Sequence, residues 1–372
     1  MKICYFVGVD RHHDEVLVFR QAKVLKDKGN DVSFVVSDDE PDEIYDDILV
    51  KGIGYKAKGY LNRLLGVPFR LYRKLKEIDA DIYQTCSIDQ LITCLLLMRK
   101  KKKIVFHLRE GHPYTYYSKS KNPLLVKKVI VWMLSSYMKF AFKKFNAIIT
   151  VTEDIARYLK SWGIDKVYIH GNYPSVNNNH NLTLEEYKKR ENRILYFGSI
   201  YSISRQEIFF DAVSNIGKVK YCIAGKFWGN VTYENKLKEH SFWKNVEFIN
   251  GFKKEELSEL LQKATISNVL RDFSETQSPN GSLGVIKIFE SMEAGLPIIC
   301  SDVPVYREIM NKYKCGILVN PNNVKEIENA IEYLIDNKEE AYKMGQEGRR
   351  AIIEKYSWDA LSKEYIIIME TL

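Results

Sequence analysis

The sequence predicts an α/β protein with two doubly wound domains in tandem, which face each other across a crevice. Three observations predict this fold class. Short apolar runs that suit buried strands alternate with helical segments, the alternation stops once in a polar stretch and then restarts, and 372 residues are enough for two domains. The apolar fraction of 45% is typical of a globular chain with a sizeable core.

The first domain is predicted over residues 1–170. Its strands are indicated by the runs KICYFVGV, DVSFVVS, ADIYQTC, KKIVFHLR and FNAIITVTE. An amphipathic helix is predicted from Asp14 to Lys28, closed by Gly29, and a further helical segment lies within Pro123–Phe145. This alternation is typical of a mostly parallel sheet covered by helices on both faces, so we expect ligands at the carboxyl ends of the strands.

Residues 171–193 are predicted to form a linker region, because this stretch is polar, rich in asparagine and without strand periodicity. The second domain is predicted over residues 194–350. Its strands are indicated by RILYFGSI, KVKYCIAG, NVEFING, ATISNVL, LPIICSD and CGILV. Residues 351–372 are predicted to form a C-terminal helix that packs back on the first domain.

The net charge of +8 is concentrated in the first half of the chain. From Lys51 to Lys144 there are 21 Lys and Arg against 5 Asp and Glu, whereas from Gly171 to the end the counts are 26 and 28. Helical segments of the first half mix basic and apolar residues, which favours peripheral contact with an anionic membrane. The sequence shows no motif of a nucleic-acid-binding fold, so no nucleic-acid partner is expected. The alternative is that these apolar residues simply belong to the core.

Cysteine usage and the start of the chain indicate where the protein acts. The six cysteines are scattered without a CxxC pair, so we expect reduced thiols, no zinc site and a cytoplasmic location. The basic and apolar helical segments add the expectation of association with the cytoplasmic face of a membrane. The first residues show no signal-peptide pattern, and every apolar run of about 18 residues contains charges. No metal is expected at His12, His13 and Asp14, because adjacent histidine side chains point apart in most conformations.

One carboxylate, Glu290, stands in the apolar stretch VIKIFESMEAGLPIICSD. The pattern predicts a helix over about Leu283–Ala294, ended by Gly295. A buried unpaired charge is costly, so Glu290 needs either a structural ion pair or a ligand. Lys287, three residues earlier on the same helix face, is the candidate structural partner. Alternatively, free N–H groups of the Gly- and Ser-rich loop before the helix bind a phosphate, and Glu290 binds a hydroxylated group.

The segment SPNGSLGVIKIFESMEAGLPII resembles the donor-binding segment of the family-four retaining glycosyltransferases, which have two Rossmann-like domains (the GT-B fold). The residues that match the family pattern are Lys287, Phe289, Glu290, Met292, Gly295 and Pro297. NVEFINGFKKEELSELLQKA and KYSWDALSKEY are also similar to segments of this family, and the likeness covers nearly the whole chain. The resemblance implies that Glu290 accepts hydrogen bonds from the ribose hydroxyls of a nucleotide sugar.

The resemblance implies further donor-binding residues, with two departures from the family pattern. YFGSIYSISRQE resembles the loop in which two basic residues hold the donor pyrophosphate; Arg205 fits the second position, and Ser199 stands at the first. Ser282 stands where the family commonly has the first of two glutamates, so Glu275 is the candidate that grips the sugar instead. The remaining predicted donor-binding residues are Gly8, Lys226, Asn280, Gly284 and Lys287.

The loop FHLREGHPYTYYSK of the first domain resembles a family segment with a histidine–glutamate pair followed by an aromatic residue and a proline. Aligned on Glu110 and Pro113, the family's histidine falls at Arg109 and its aromatic residue at His112. The resemblance therefore implies that Arg109, Glu110 and His112 bind the donor or orient the acceptor, and with Glu275 they form the predicted catalytic set. A polar capping loop is the alternative interpretation.

By resemblance, the expected function is retaining, metal-independent transfer of a hexose or N-acetylhexosamine from a nucleotide-diphosphate donor. The donor nucleotide is expected to be UDP rather than GDP, and no cofactor is expected. The expected acceptor is a glycan or a lipid-linked molecule in surface polysaccharide or glycoconjugate synthesis. Two alternatives remain open from the sequence: a nucleotide-sugar epimerase of the same architecture, and a non-catalytic relative that binds a nucleotide or a partner enzyme.

Overall fold

A computed structural model of the chain describes residues 1–8, 20–57, 59, 62–120, 122–177, 182–229, 231–274, 276 and 278–372. Four residues singled out from the sequence lie outside these ranges: His12, His13, Asp14 and Glu275. The start of the helix predicted from Asp14 lies outside them as well. The chain divides into two compact units; the first comprises Met1–Asn172 with Leu361–Leu372, and the second comprises Tyr173–Ala360.

The first unit is built on a single large sheet. Its strands are β1 (Lys2–Val7), β2 (Asp31–Val36), β3 (Glu43–Tyr45), β4 (Ile48–Gly52), β5 (Ile82–Thr85), β6 (Lys103–Leu108), β7 (Ala147–Thr150) and β8 (Val167–Ile169). In the described residues they form an eight-stranded sheet in the order β3-β4-β2-β1-β5-β6-β7-β8, in which β3 and β4 pair antiparallel and the other neighbouring strands pair parallel. The strand order reverses between β1 and β5, and ligands of such sheets bind outside the carboxyl ends at that point.

Helices cover this sheet. They are α1 (Lys23–Asp27), α2 (Val67–Ile78), α3 (Leu91–Met98), α4 (His112–Lys119), α5 (Leu124–Phe142) and α6 (Glu153–Ser161). α1 is the described end of the helix predicted to reach Lys28, and Gly29 follows with a φ of 83°, a left-handed conformation that glycine adopts without strain. The apolar sides of α2, α3 and α5 contribute buried residues to one core cluster with the strands.

The second unit repeats the same construction. Its strands are β9 (Arg193–Phe197), β10 (Lys220–Gly225), β11 (Val246–Asn250), β12 (Ile266–Val269), β13 (Ile298–Ser301) and β14 (Gly316–Val319). They form a parallel sheet in the order β11-β10-β9-β12-β13-β14, so the order reverses between β9 and β12. Its helices are α7 (Leu184–Lys189), α8 (Gln206–Ser214), α9 (Val231–Glu239), α10 (Lys254–Lys263), α11 (Ile286–Glu293), α12 (Pro304–Tyr313), α13 (Val324–Asp336) and α14 (Lys338–Glu354).

The last helix, α15 (Trp358–Thr371), begins in the second unit, and its residues from Leu361 onward belong to the first. Within the first unit these residues join a buried polar chain. Tyr365 Oη donates a hydrogen bond to Gln84 Oε1 at 2.8 Å and lies 2.6 Å from Tyr5 Oη, while Gln84 Nε2 donates to Gln21 Oε1 at 2.5 Å. Because each of these buried polar groups has a partner, this series of hydrogen bonds fixes the position of the C-terminal residues.

The strands lie between helix layers, which confirms the predicted α/β class with two doubly wound sheets. The central strands are buried almost throughout: in β1 Ile3 to Val7 are inaccessible, and all four residues of β5 are buried. Parallel strands covered on both faces carry continuous apolar runs for this reason. All six cysteines are free and buried, and burial raises the pKa of the Cys4 thiol to about 12.

Five elements are absent from the sequence prediction, and one of them, α4 (His112–Lys119), lies in the stretch that the sequence analysis treats as a loop. β3 and β8 are three-residue strands at the sheet edges, too short to show a period. β4 alternates in burial, but its sequence ILVKG begins with three consecutive apolar residues and shows no period of two. α7 lies inside the predicted linker region and begins with a capping box, in which the Thr183 and Glu186 side chains bind each other's backbone N–H groups. The T-x-x-E spacing is a recognisable helix-start signal that the polar composition obscured.

Candidate functional site

A cavity of about 380 Å³ opens in the second unit at the carboxyl ends of β9 and β12. The strand order reverses between these two strands, and the volume suits a small-molecule site. The residues predicted from the sequence that line the cavity are Ser199, Gly284, Lys287 and Glu290. Arg271 also lines it and was not predicted. The structure therefore brings part of the predicted donor set together in one place.

The first turn of α11 forms one wall of the cavity. The helix begins at Ile286, three residues later than predicted, because Ser282 to Val285 form a turn in which Gly284 N donates to Ser282 Oγ at 3.0 Å. The N-cap residue Val285 makes no side-chain hydrogen bond to the helix. The N–H groups of the first turn are therefore not capped by its side chain. Gly295, with a φ of 70°, ends the helix as predicted.

Two glutamates of α11 have different environments. Glu293 is the structural one: its carboxylate lies 3.1 Å from Arg349 Nη1 and accepts from Asn177 N at 2.9 Å, and the paired Glu293 and Arg349 side chains are each only 7% exposed. Glu290, one turn earlier, is half-buried and lines the cavity together with Lys287. The two residues thus lie at an opening, and the negative charge of Glu290 acts on the Lys287 ammonium group there.

The ammonium group of Lys287 lies inside the cavity wall. Its Nζ is 3.7 Å from the centroid of the Tyr196 ring, a cation–π contact, and its stem lies beside Gly198, whose φ of 98° suits only glycine. Burial, together with the positive charge of Arg271, lowers the pKa of Lys287 to about 7, and the negative charge of Glu290 partly opposes this. A second negative charge in the cavity would restore the proton of Lys287.

Arg271, directly after β12, is the functional candidate that sequence reasoning missed. Its backbone is clamped by Ser301, whose Oγ accepts from Arg271 N at 2.9 Å and donates to Arg271 O at 2.6 Å. Within the described part of the chain, its buried Nε–H meets no acceptor. The guanidinium packs 5.6 Å from the Phe273 ring centroid. Arg271 and Lys287 are therefore two neighbouring cations on one cavity wall, an arrangement that favours an anionic ligand.

Arg205 is placed differently from the sequence expectation. Its guanidinium donates to Asp272 Oδ2 through Nε at 3.1 Å and through Nη2 at 2.6 Å, and Arg205 is not among the cavity-lining residues. Burial by itself would raise the pKa of Asp272, but hydrogen bonds from Ser274, Asn322 and Arg205 outweigh it and hold that pKa well below its ordinary value. Arg205 thus neutralises a buried carboxylate beside the cavity.

Two further predicted donor residues lie at the surface of the second unit. Lys226, which follows β10, and Asn280, in the loop before α11, are both exposed, and neither is among the residues that line the cavity. The carbonyl oxygen of Asn280 accepts a hydrogen bond from Val305 N at 3.0 Å. Their role in donor binding stays a prediction.

In the first unit, Arg109 and Glu110 lie in the loop between β6 and α4, and His112 is the first residue of α4. Glu110 is exposed and accepts from Thr115 Oγ1 at 3.1 Å, and its other carboxylate oxygen lies 3.8 Å from His112 Nδ1. Burial is the largest influence on the His112 imidazole and lowers its pKa, although the Glu110 charge acts in the opposite direction. His112 is therefore neutral near pH 7, which suits hydrogen bonding to a hydroxyl group.

Gly8 lies at the carboxyl end of β1, near a polar cluster that was not predicted. A side chain at Gly8 would clash with Asp89 Oδ2 and Gln90 Nε2, each 2.5 Å from the position of a Cβ atom. Arg63 Nη2 donates to Asp89 Oδ1 at 3.2 Å, and Gly8 N donates to Ser87 Oγ at 3.1 Å. The groups that lie close to the Gly8 backbone are thus the Asp89 and Gln90 side chains of the protein itself. The position of Asp89 just after β5 is the sequence signal that could have identified it.

Two family models match the chain. The model described as "Glycosyltransferase Family 4" matches residues 15–180, and the model described as "Glycosyl transferases group 1" matches residues 184–351. The two matched segments leave only short parts of the chain unmatched. The two family models together cover most of the chain, which therefore belongs to the family-4 glycosyltransferases with the GT-B fold of two Rossmann-like domains.

Two curated relatives share part of this sequence. The MMP alpha-(1->4)-mannosyltransferase of Mycolicibacterium hassiacum is 26% identical over 122 residues, which are 32% of this chain and 28% of the relative. The poly(ribitol-phosphate) alpha-N-acetylglucosaminyltransferase of Staphylococcus aureus is 20% identical over 232 residues, which are 60% of this chain and 43% of the relative. The matched region therefore spans less than half the length of either enzyme.

A solved structure extends the likeness to the whole chain. HepE of Anabaena in complex with UDP-glucose superimposes with a TM-score of 0.70 over 100% of both chains, at 13% sequence identity. At this identity the likeness concerns the fold. It agrees with the two parallel sheets described above and confirms the predicted fold class.

Proposed function

We propose that this protein is a retaining, metal-independent glycosyltransferase whose donor is a nucleotide-diphosphate sugar. The observation that carries the proposal is the cavity beside α11, where Glu290, Lys287 and Arg271 come together. A carboxylate is suited to accept hydrogen bonds from two ribose hydroxyls, and a guanidinium beside an ammonium is suited to a diphosphate. The open first turn of α11 adds N–H donors and a positive helix end to the same wall.

In the proposed reaction, the bond between the anomeric carbon and the diphosphate oxygen breaks, and its electron pair stays on the diphosphate. Arg271 and Lys287 stabilise the negative charge that develops there. These fixed cations supply positive charge of the kind that a metal ion provides in other transferases. The acceptor oxygen bonds to the anomeric carbon on the face that the diphosphate leaves, so the configuration is retained, and its proton passes to the departing phosphate oxygen.

UDP is the proposed nucleotide, and a hexose or an N-acetylhexosamine is the proposed sugar. HepE, which shares the fold, was solved with UDP-glucose, and the names of the two curated relatives specify α-linked mannosyl and N-acetylglucosaminyl transfer. The proposed acceptor is a glycan or a lipid-linked molecule in surface polysaccharide or glycoconjugate synthesis at the cytoplasmic face of a membrane. In the first unit, Glu110 and the neutral His112 are proposed to orient the acceptor hydroxyl, with Arg109 beside them.

The experiment that tests this function is incubation of the protein with a panel of nucleotide sugars and with glycan and lipid-linked acceptors. Release of a nucleoside diphosphate together with a glycosylated acceptor supports the proposal. Conversion of the donor into its epimer without an acceptor identifies a nucleotide-sugar epimerase instead. Binding of nucleotides with no turnover for any donor or acceptor identifies a non-catalytic relative. Chelation of divalent metal ions should leave the rate of transfer unchanged.

Nucleotide affinity should depend on the protonation of Lys287. Its pKa is about 7 in the free protein, and a bound diphosphate should raise it. Above about pH 7 the complex therefore holds a proton that the free protein has lost, so the affinity for UDP should fall by up to about tenfold per pH unit. Isothermal titration calorimetry with UDP from neutral to alkaline pH measures this slope.

The matched control for this pH dependence is Lys287→Arg. The guanidinium keeps its charge over the whole range, so the affinity of this variant should stay nearly constant with pH. An equally steep fall in the variant would show that another group titrates, and that Lys287 does not contact the diphosphate.

A further inference from the structure

The helix α5 (Leu124–Phe142) is apolar on two opposite faces. One face packs into the first unit through Met138, Ala141 and Phe142, which are fully or almost fully buried. The other face is exposed, and its large apolar side chains are Leu125 (77% exposed), Val129 (56%), Trp132 (70%), Met133 (58%) and Phe140 (56%). Their spacing places them on one side of the helix. A helix that is apolar all round is normally buried all round, so a surface of this kind indicates a binding site.

The charges of α5 are all positive. Its sequence contains no Asp or Glu, and Lys128 and Lys139 are exposed beside the apolar face, while Lys143 and Lys144 follow the helix end. Lys144 Nζ lies 4.9 Å from the centroid of the Phe140 ring, so apolar and cationic groups adjoin each other. The same part of the chain, Lys51–Lys144, has 21 basic against 5 acidic residues. The partner of this face is therefore expected to be anionic.

We propose that the exposed face of α5 is a docking surface for an anionic lipid bilayer. The helix would lie in the plane of the interface, with the apolar side chains among the acyl chains and the lysines among the headgroups. It would not cross the bilayer, since no helix in the described part of the chain is both long and apolar enough to do so. The inference deepens the proposed function by naming the surface through which the first unit reaches a lipid-linked acceptor.

The chemistry of the face distinguishes a bilayer from two other occupants. A nucleic acid would use the lysines but would leave five large apolar side chains without an apolar partner. A second copy of the chain would place the lysines of both copies close together without carboxylates on α5 to neutralise them. An anionic bilayer satisfies both parts of the surface, because headgroup charge lies directly above a hydrocarbon layer.

Flotation of the full-length protein with lipid vesicles tests this inference. At low salt the protein should float with vesicles of phosphatidylcholine and phosphatidylglycerol, much less with phosphatidylcholine alone, and less again at high salt. Trp132→Gln should reduce the partition coefficient by roughly tenfold or more. Lys128→Gln combined with Lys139→Gln should reduce it by roughly fivefold for each charge removed at low salt.

The matched control is Trp228→Gln, which removes a tryptophan of similar exposure (63%) from the second unit and should leave flotation unchanged. Melting temperatures of all variants should stay close to that of the original protein, because the replaced side chains are exposed. The inference is overturned if the protein does not float at low salt, if Trp228→Gln has the same effect as Trp132→Gln, or if Trp132→Gln instead converts a dimer into a monomer. Vesicle binding needs no donor, so a protein that binds UDP but not vesicles contradicts this inference alone.

Discussion

Replacing Glu290 by alanine should weaken the binding of UDP by roughly a hundredfold and leave the melting temperature nearly unchanged. The carboxylate is half-buried on the cavity wall, and we propose that it accepts hydrogen bonds from both ribose hydroxyls. A hydrogen bond to a charged group contributes about 1.5–3 kcal/mol, so the loss of two accounts for an effect of this size. Isothermal titration calorimetry of the variant with UDP, compared with 2′,3′-dideoxy-UDP, measures it; the dideoxy nucleotide should be insensitive to the substitution.

The same helix provides the control. Glu293→Ala removes the carboxylate that pairs with Arg349 at 3.1 Å, where both side chains are 7% exposed. A buried cation without its partner should reduce the free energy of unfolding by about 3–5 kcal/mol, measured by urea denaturation. Correctly folded Glu293→Ala should nevertheless bind UDP with nearly normal affinity. If Glu290→Ala instead destabilises the protein and its folded fraction binds UDP normally, Glu290 is a structural residue and the proposed site is wrong.

Replacing Arg271 by glutamine should weaken UDP binding by roughly tenfold to a hundredfold, because a charge-assisted contact to the diphosphate is lost. The binding of uridine, which has no phosphate, should be unaffected. The substitution has a second consequence, because the positive charge of Arg271 lowers the pKa of Lys287. Without that charge, the pKa of Lys287 should rise. The pH above which UDP affinity falls should therefore move upward in the variant, an effect that general loosening of the cavity would not produce.

The comparison variant is Arg205→Gln. Because the Arg205 guanidinium is held by Asp272 at 2.6 Å, its loss leaves a carboxylate that is 5% exposed with one fewer partner. We expect a reduced free energy of unfolding and a smaller change in UDP affinity than for Arg271→Gln. The opposite ranking would restore Arg205 as the diphosphate-binding residue that the family resemblance implies, with Arg271 as a structural neighbour.

Much of the fold could be predicted because apolar runs between polar turns are a local signal. All six strands of the second unit were indicated by such runs, as were β1, β2, β5, β6 and β7 of the first. The short edge strands β3 and β8 were missed because three residues do not establish a period. The order of strands within each sheet depends on long-range pairing, which local patterns do not contain.

The candidate site was only partly predictable for a related reason. Glu290 and Lys287 were identified because they lie in one segment with a recognisable pattern. The buried partner of Glu293 is Arg349, 56 residues further along the chain, so no local pattern indicates that α11 contains a structural carboxylate as well. Arg271 matched no recognisable motif, and its position beside Lys287 arises only when α11 packs against β12. Arg205 matched a motif, but the motif did not reveal that Arg205 pairs with Asp272.

The most direct test of the account is a crystal structure of the protein grown with UDP. We expect the nucleotide in the cavity beside α11, with both ribose hydroxyls within hydrogen-bonding distance of the Glu290 carboxylate and the diphosphate in contact with Arg271 and Lys287. A nucleotide bound elsewhere, or one in this cavity whose ribose faces away from Glu290, would contradict it.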